Sequence, residues 1–286
     1  MDPFMNPSKE RGPLHESDRR PIRSGWEAAA SRYRDGLGRH LIEISHRLSR
    51  FLPAPLTGPV LDLACGPGTA MSQTKEAHGE LLFVGCDFSR RMTEFATRAV
   101  SGSLGVVADQ DHLPFAPESF GTILSSMGTI FSRDPDRQLR LIAALLKPGG
   151  LYAFSAWGPP EETSLGAVSR TVVESWPYPY EGVLPSLATP YSGGQSPWLE
   201  QAASEAGLSV RAVSSHWLRF RFPDVMTAAN ALVGTGRFAL LLSGAEHRER
   251  ELLERTAEAF RPHKMPGSEQ IELSNRYHLF LLERTL

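Results

Sequence analysis

Three aspartates and a glycine-rich turn mark the part of the sequence where chemistry is expected. The apolar run 59–63 leads into the turn ACGPG at 64–68 and then into a helical pattern. Where a strand of a parallel sheet meets a helix, the backbone and the amides of the helix N-terminus can approach a ligand closely. Asp62 lies just before the turn, and Asp87 and Asp109 end the next two apolar runs. Buried carboxylates are rare without a partner, so this pattern predicts a ligand site, although loop acids or helix caps would also explain it.

The spacing of these acids is typical of a nucleoside site. An acid at the tip of the second strand, here Asp87, can accept both hydroxyls of a ribose, and Asp109 can reach an exocyclic adenine amine. A dinucleotide fold would have a third small residue where this chain has Met71, which disfavours NAD. The chain has no Gly-Lys-Ser/Thr phosphate loop, which disfavours nucleoside triphosphate hydrolysis.

The elements that must position these acids alternate along the chain between short apolar runs and helical segments. Such alternation predicts a parallel sheet with crossover helices. Strands are predicted at 59–63, 81–86, 104–108, 120–125, 151–157, 208–222 and 270–284. Helices are predicted at 69–77, 90–100, 137–146, 164–176, 195–206 and 223–260, the last with a break at 234–236.

Composition along the chain predicts three parts. Residues 1–23 are charged and rich in proline, which predicts a flexible tail. Residues 24–55 carry apolar side chains at helical spacing and predict an N-terminal helical cap. Residues 56–286 predict the ligand-binding domain, with lid insertions at about 158–194 and 223–265, where the regular alternation is interrupted.

The overall composition excludes several function classes. The 286 residues hold 30 Lys and Arg against 32 Asp and Glu, so there is no basic surplus of the kind that grips nucleic acid. Two cysteines are too few for a secreted disulfide scaffold or a zinc cage, which favours a reducing cytoplasm. The sequence contains no apolar run long enough to predict a membrane span. A small-molecule partner is therefore expected, and a homo-oligomer is left open.

Four segments carry a resemblance to a known family. In order, VLDLACGPGTA, VGCDFSRRM, ADQDHLPFAPESFGTILS and LLKPGGLYAFSAW resemble the motifs of class I S-adenosylmethionine-dependent methyltransferases. The similarity is to their small-molecule branch, related to ubiquinone and menaquinone biosynthesis (methyltransferase type 11), and it covers about residues 26–157. It implies an α/β, Rossmann-like, seven-stranded sheet in the order 3-2-1-4-5-7-6. The last strand would be antiparallel, with helices on both faces and a helical cap or lid.

The same resemblance implies S-adenosylmethionine as the cofactor and assigns residues to it. Gly66 and Gly68 would let the backbone approach the methionyl part, Asp87 would hold the ribose, and Asp109 the adenine amine. Tyr33 would fold over the sulfonium end, although simple amphipathic packing explains this residue equally well. The full set is Tyr33, Asp62, Ala64, Cys65, Gly66, Gly68, Asp87, Phe88, Met92, Asp109, Gln110, Ser125 and Ser126.

The acceptor pocket is predicted from the N-terminal helices and the segments after 157. An aromatic lid suits a bulky apolar or aromatic acceptor, although these residues could form only the core of the lid. The predicted acceptor-binding residues are Trp26, Met127, Trp157, Tyr178, Tyr180 and Tyr191. His216 and His112 are the candidates for a catalytic base, with a structural role equally open for His216. No metal is expected, because the stretch after the fourth strand lacks clustered metal ligands.

Three hypotheses from different classes follow. The first is methyl transfer from S-adenosylmethionine to a small, largely apolar or aromatic molecule, such as a specialised natural-product metabolite. The second is a cyclase or pericyclic catalyst that retains the cofactor, and the third is a non-catalytic binding or regulatory subunit. Release of S-adenosylhomocysteine in the presence of an acceptor separates the first hypothesis from the other two.

Overall fold

One mixed sheet forms the centre of the molecule. The computed structural model describes residues 16–132, 134–180, 189–243 and 245–285. In this part of the chain seven strands pair in the order β3-β2-β1-β4-β5-β7-β6. They are β1 (Val60–Leu63), β2 (Phe83–Asp87), β3 (Leu104–Val107), β4 (Phe120–Ser126), β5 (Leu146–Trp157), β6 (Leu208–Phe222) and β7 (Ile271–Arg284). Strands β1 to β5 are mutually parallel, and β7 is antiparallel to both of its neighbours. The predicted fold class, strand order and antiparallel last strand are confirmed.

Helices cover the sheet and one end of it. They are α1 (Glu16–Asp35), α2 (Leu37–His40), α3 (Ile42–Phe51), α4 (Thr69–His78), α5 (Arg90–Ala99), α6 (Pro135–Leu145), α7 (Ser164–Ser175), α8 (Pro197–Glu205), α9 (Val225–Val233), α10 (Gly236–Leu241) and α11 (Glu249–Phe260). Helix α5 begins with a capping residue, since Ser89 accepts the Met92 amide at 3.2 Å.

The strands near the middle of the sheet are buried on both faces. Every residue of β1 and β2 is buried, which explains their continuous apolar runs. Strand β5 begins at Leu146, five residues before the predicted start, because Leu146 pairs with Phe120 ahead of a register shift. Phe154 and Phe280 stack at 4.5 Å between β5 and β7 and tie the antiparallel strand to the parallel ones.

The predicted boundary of the N-terminal tail needs a correction. Residues 1–15 of the predicted tail lie outside the described residues, but α1 begins at Glu16 and includes Pro21. Ile22 lines the central cavity and Gly25 packs against Gly236 of α10. These tertiary contacts outweigh the low apolar content that predicted a flexible chain.

The two predicted lid insertions contain most of the remaining helices. The first holds α7 and a 3₁₀ turn at Pro190–Gly193, while its residues 181–188 lie outside the described part of the chain. The second holds α9, α10 and α11, inserted between β6 and β7. Among the described helices, none combines the length and the apolar character needed to cross a membrane.

Candidate functional site

A cavity of about 320 Å³ lies at the carboxyl ends of β1 to β4, beneath α1. The predicted residues that line it are Trp26, Tyr33, Asp62, Ala64, Cys65, Gly66, Asp87, Phe88, Met92, Asp109, Gln110, Ser126, Met127 and Tyr191. They gather because the carboxyl ends of neighbouring parallel strands meet at one edge of the sheet. The volume lies at the lower end of the range for small-molecule sites.

The two glycines of the turn play different parts. Both have a left-handed backbone, with φ of 51° at Gly66 and 84° at Gly68. A Cβ at Gly66 would meet nothing within 4 Å, and this residue lines the cavity. A Cβ at Gly68 would stand 2.6 Å from the Cα of Ala96 in α5. The assignment of Gly68 to the cofactor is therefore corrected, because its close approach is to α5.

Asp87 is held in the cavity wall by two backbone amides. Its carboxylate accepts the amide of Gly66 at 3.0 Å and that of Ser89 at 2.9 Å. The side chain is 7% exposed. Burial raises the pKa of Asp87 to about 6; the Ser89 and Gly66 amides oppose this rise, and the charge of Glu27 adds to it. Each carboxylate oxygen keeps a lone pair for a further donor, so Asp87 can still accept two hydroxyls.

Asp62 lies deeper and orients the glycine turn. Its carboxylate accepts the Met71 amide in the first turn of α4 at 3.0 Å, and the residue is 1% exposed. Burial raises the pKa of Asp62 to about 8, against the Met71 amide and with the charge of Asp87. At neutral pH this carboxyl is therefore largely protonated without a ligand, and a cationic group beside it would favour its ionised form.

Asp109 and Gln110 lie at the end of β3. The Asp109 carboxylate accepts the amide of Asp111 at 2.9 Å, which fixes the loop. The Gln110 amide nitrogen approaches the carbonyl oxygen of Gly128 at 3.4 Å, and its oxygen accepts from Gln138 at 3.1 Å. The side chains of this loop are therefore oriented before any ligand arrives.

Two cysteines form part of the cavity floor. Cys65 and Cys86 are both buried and free. Burial raises the pKa of Cys86 to about 12, helped by the charge of Asp87, and burial also raises the pKa of Cys65. Both are neutral thiols at physiological pH and act as small apolar residues.

Helix α1 covers the cavity with two aromatic rings. Trp26 meets Tyr33 edge to face at 5.2 Å and Phe131 at 5.8 Å. Burial, together with the charge of Asp87, raises the pKa of the Tyr33 phenol above its ordinary value. Tyr33 is therefore a neutral hydroxyl close to Asp87.

A pair of serines that the sequence did not single out as a pair lines the end of the cavity near β4. The hydroxyls of Ser45 in α3 and Ser126 lie 3.1 Å apart, and both residues line the cavity. Ser45 had no signal beyond its place on the apolar face of α3. Met127, next to Ser126, has a φ of 59°, and Ala64 at the end of β1 has one of 53°. Strained backbone at both strand ends is typical of a functional site.

Ser125 differs from its predicted role. Its hydroxyl donates to the carbonyl of Leu63 at 2.8 Å and accepts the amide of Thr129 at 3.0 Å. The side chain is fully buried between β1 and β4. Ser125 is therefore corrected to a residue that supports the site from behind.

Neither predicted histidine lines the cavity. His216 lies on β6 beside a separate shallow depression, where its Nε2 is 2.8 Å from the Ser214 hydroxyl and where Arg47 is a neighbour. Burial and then the charge of Arg47 lower the pKa of His216. His112 is exposed in the loop after β3, where its backbone pairs with that of Asp109. Both assignments as catalytic bases are corrected, because a base must reach the acceptor.

Three predicted acceptor-binding aromatics also lie away from the cavity lining. Trp157 is buried at the end of β5 and meets Phe220 edge to face. The ring of Tyr178 is covered by the Arg248 guanidinium at 3.6 Å, and its hydroxyl donates to a carboxylate of α11 at 3.1 Å. Tyr180 is partly buried against the main core. Tyr178 and Tyr180 pack within the lid, which is the alternative left open above, and Trp157 belongs to the main core, so the assignment of all three to the acceptor is corrected.

The charges along the cavity are of one sign. Among the described lining residues there are four aspartates, Asp62, Asp87, Asp109 and Asp111, and no Lys, Arg or His. No group of three or more His, Cys, Asp or Glu in the described chain is arranged to hold a metal ion. The site can therefore attract a cationic organic ligand and hold its hydroxyl and amine groups.

Parts of the sequence match known proteins. A family described as "Methyltransferase domain" matches residues 60–150. A malonyl-acyl-carrier protein O-methyltransferase of Coxiella burnetii is 32% identical over 144 residues, which are 50% of this chain and 49% of that protein. The match thus spans about half the length of that relative. The enzyme of the same name from Methylococcus capsulatus is 26% identical over 268 residues, covering 91% of this chain and 92% of that protein.

A solved structure gives the same fold. A protein of Bacillus halodurans described as a methyltransferase superposes with a TM-score of 0.55 at 17% identity, covering 85% of this chain and 99% of that one. The family match covers the glycine turn and the ends of β1 to β3, where Asp62, Asp87 and Asp109 gather. Residues 60–150 thus match a methyltransferase domain, and the strand order 3-2-1-4-5-7-6 is the one expected for the class I S-adenosylmethionine-dependent fold.

Proposed function

We propose that the protein transfers a methyl group from S-adenosylmethionine to a small, uncharged and largely apolar or aromatic acceptor, such as a specialised metabolite. The observation that carries the proposal is the division of the cavity. Aspartates line the end near β2 and β3, whereas apolar side chains and the serine pair line the end near β4 and the helical cap. Such a division favours a cationic cofactor at one end and a neutral partner at the other.

The acids at the strand ends fit the cofactor by the chemistry of their donors and acceptors. Asp87 would accept the two ribose hydroxyls with the lone pairs that its backbone bonds leave. Asp109 would accept the adenine amine, with Phe88 and Met92 against the ring. Asp62 would face the amino group of the methionyl part, directly or through water.

The methionyl carboxylate needs donors, and the described lining offers no cation. Thr69 and Ala70 line the cavity in the first turn of α4, where amides have no acceptor within the helix. In the pair Ser45 and Ser126 one hydroxyl donates to the other, which leaves the second proton for a ligand. These groups would hold the carboxylate without a charged partner.

The remaining space favours a neutral acceptor. Ile22, Leu41, Met127, Phe131 and Tyr191 line the cavity around the serine pair. The curated relatives are named for malonyl carried on a protein, and a malonyl group ends in a carboxylate. The apolar side chains at this end would leave such an anion with no cation from the described lining, which disfavours it.

Methyl transfer requires little acid or base catalysis from this protein. S-adenosylmethionine supplies a methyl group already activated on a sulfonium. The protein must then orient an acceptor atom in line with the S–CH₃ bond and exclude water. Trp26 and Tyr33 line the cavity from α1 and would help to exclude water. Ser45 and Ser126 can orient an acceptor oxygen as well as the cofactor.

The acceptor class is tested by product formation. We expect purified protein with S-adenosylmethionine to release S-adenosylhomocysteine with neutral phenols, quinols or terpenoids, and to give a product 14 Da heavier by mass spectrometry, the mass of an added CH₂. Malonyl-acyl-carrier protein serves as the anionic comparison. Turnover of that substrate alone would contradict the neutral-acceptor proposal. A substrate converted at unchanged mass without S-adenosylhomocysteine would indicate the cyclase alternative instead.

Cofactor binding is expected to weaken in acid. Asp87, with a pKa of about 6, is ionised above that pH and protonated below it. A protonated carboxyl loses acceptor capacity, so the affinity for S-adenosylhomocysteine should fall as pH falls through about 6, approaching about tenfold per pH unit. Isothermal titration between pH 5 and 8 measures this. The variant Asp87→Asn, which has no titrating group at this position, should bind weakly and lose the step near pH 6, while any change nearer pH 8 belongs to Asp62. The same step near pH 6 in the variant would refute the assignment.

A further inference from the structure

Helix α1 has two apolar faces with different contacts. Ile22, Trp26 and Tyr33 are spaced by four and seven residues and line the cavity on one side of the helix. A second side packs closely on α10, since a Cβ at Gly25 would stand 2.8 Å from the carbonyl oxygen of Gly236. The Trp26 ring also lies against Gly236, so α1 and α10 approach each other closely at this point.

A third side of α1 is polar and meets α5. Glu27, Ser31 and Arg34 follow the same helical spacing of four and three residues. The Arg91 guanidinium lies 3.5 Å from the Ser31 hydroxyl, and the Arg34 guanidinium lies 4.3 Å over the ring of Phe95. Contacts of this kind at a partly exposed seam are replaced by water at low cost. We call this contact the α1–α5 seam.

Glu27 makes the strongest contact in the α1–α5 seam. One carboxylate oxygen accepts the Ser89 hydroxyl at 2.6 Å and the Arg91 amide at 3.2 Å. It therefore adds a negative charge at the N-terminus of the ten-residue helix α5. Ser89 in turn donates its amide to Asp87 at 2.9 Å. A single residue thus links the covering helix to the acid assigned to the ribose.

We propose that Glu27 is the latch that closes α1 over the bound cofactor, and that the α1–α5 seam opens when the cofactor enters or leaves. The proposal rests on the proposed function, because the ligand is the methyltransferase cofactor. Tyr33 lines the cavity near Asp87, so a ligand bound at Asp87 lies under this side of α1. The close contact with α10 stays in place, and the polar seam with α5 separates. Glu27 acts on the cofactor through α1 and Asp87 and is a positioning residue.

The test compares two carboxylates that both tie α1 to the rest of the protein. Glu249 at the start of α11 pairs with Arg32, on the side of α1 away from α5. We expect Glu27→Ala to speed the dissociation of S-adenosylhomocysteine by about tenfold or more in stopped-flow measurements, which is the loss of one charge-assisted hydrogen bond. Glu249→Ala should leave the rate within about twofold, since exposed ion pairs contribute little. Amide exchange over residues 22–33 should rise with the first variant only.

The pH dependence of binding separates a latch from a merely structural contact. Glu27 raises the pKa of Asp87 by its charge, so Glu27→Ala should move the midpoint of S-adenosylhomocysteine binding to lower pH, and Glu249→Ala should not. Glu27→Gln keeps an acceptor oxygen without the charge, so it should restore much of the slow dissociation and still show the lowered midpoint. The other titratable groups around Asp87 are Tyr33, Asp62, Cys65 and Cys86, and all are unchanged in these variants.

Two results would overturn the latch. One is the same dissociation rate for Glu27→Ala and Glu249→Ala, and the other is an unchanged pH midpoint in both Glu27 variants. If Glu27→Ala does not fold, Glu27→Gln and its pH midpoint decide the matter. Absence of S-adenosylhomocysteine binding to the unaltered protein would instead refute the proposed function, so the two failures are distinguishable.

Discussion

Asp87→Ala should weaken the binding of S-adenosylmethionine and S-adenosylhomocysteine by about 30-fold or more, equivalent to about 2 kcal/mol. The carboxylate would make two charge-assisted hydrogen bonds to the ribose from a position fixed by the Gly66 and Ser89 amides. Its loss removes those bonds and also frees the glycine turn, which is the floor of the cofactor site. Isothermal titration with both ligands measures the change, with NAD as the ligand that should not bind.

A matched variant separates this effect from a general loss of structure. Asp224 likewise accepts a backbone amide where a helix starts, that of Thr227 at 2.7 Å, but it is not among the residues lining the cavity. Asp224→Ala should lower the melting temperature to a similar extent and leave cofactor affinity unchanged. Equal affinities for Asp87→Ala and the unaltered protein would refute the placement of the ribose at Asp87.

Gly68→Ala should be the most destabilising single substitution in the glycine turn. A φ of 84° is unfavourable for alanine, and the new Cβ would stand 2.6 Å and 2.9 Å from the Cα and Cβ of Ala96. Helices α4 and α5 must then move apart. Together the strained backbone and the overpacking should cost about 2–5 kcal/mol, and the melting temperature should fall by about 5 °C or more.

Gly66→Ala should have the opposite balance of effects, with a smaller loss of stability and a larger loss of cofactor affinity than Gly68→Ala. It meets the same left-handed backbone, with a φ of 51°, but its Cβ would project into open space at the cavity wall. We expect a smaller loss of stability, about 1 kcal/mol, and about a tenfold or greater loss of cofactor affinity, because the methyl group occupies ligand space. Thermal unfolding and titration of both variants give the comparison. If Gly66→Ala bound the cofactor normally, the ligand would not lie against this turn.

The regular part of the fold was predictable because its signals are local. Apolar runs mark β1, β2 and β4, whose residues are nearly all buried, and Ser89 marks the start of α5 through its own hydrogen bond. The start of α1 was not predictable in the same way. The segment around Pro21 and Ile22 carries little apolar periodicity, and its helix is stabilised by α10, more than 200 residues later in the chain.

The residues of the candidate site were likewise predictable only in part. Asp62, Asp87 and Asp109 could be predicted together, because strand ends of a parallel sheet share an edge whatever the loops do. The residues on the acceptor side could not be predicted from the sequence. Tyr178 has the residue type of a pocket aromatic, but Arg248 on the second insertion covers its ring. Glu27 is a charged residue on an amphipathic helix, and nothing in its own neighbourhood reveals that α5 lies opposite.

The position of β7 has a consequence for the synthesis of the chain. Residues 271–284 do not extend the sheet at its edge but enter between β5 and β6, pairing with both. Until the ribosome has made them, β6 has no partner strand and β5 lacks a neighbour on one side. A nascent chain must therefore keep two long strand edges apart until residues 271–284 emerge. Unpaired strand edges of this kind can pair with other chains, so β7 also protects β5 and β6 from such contacts once it has entered between them.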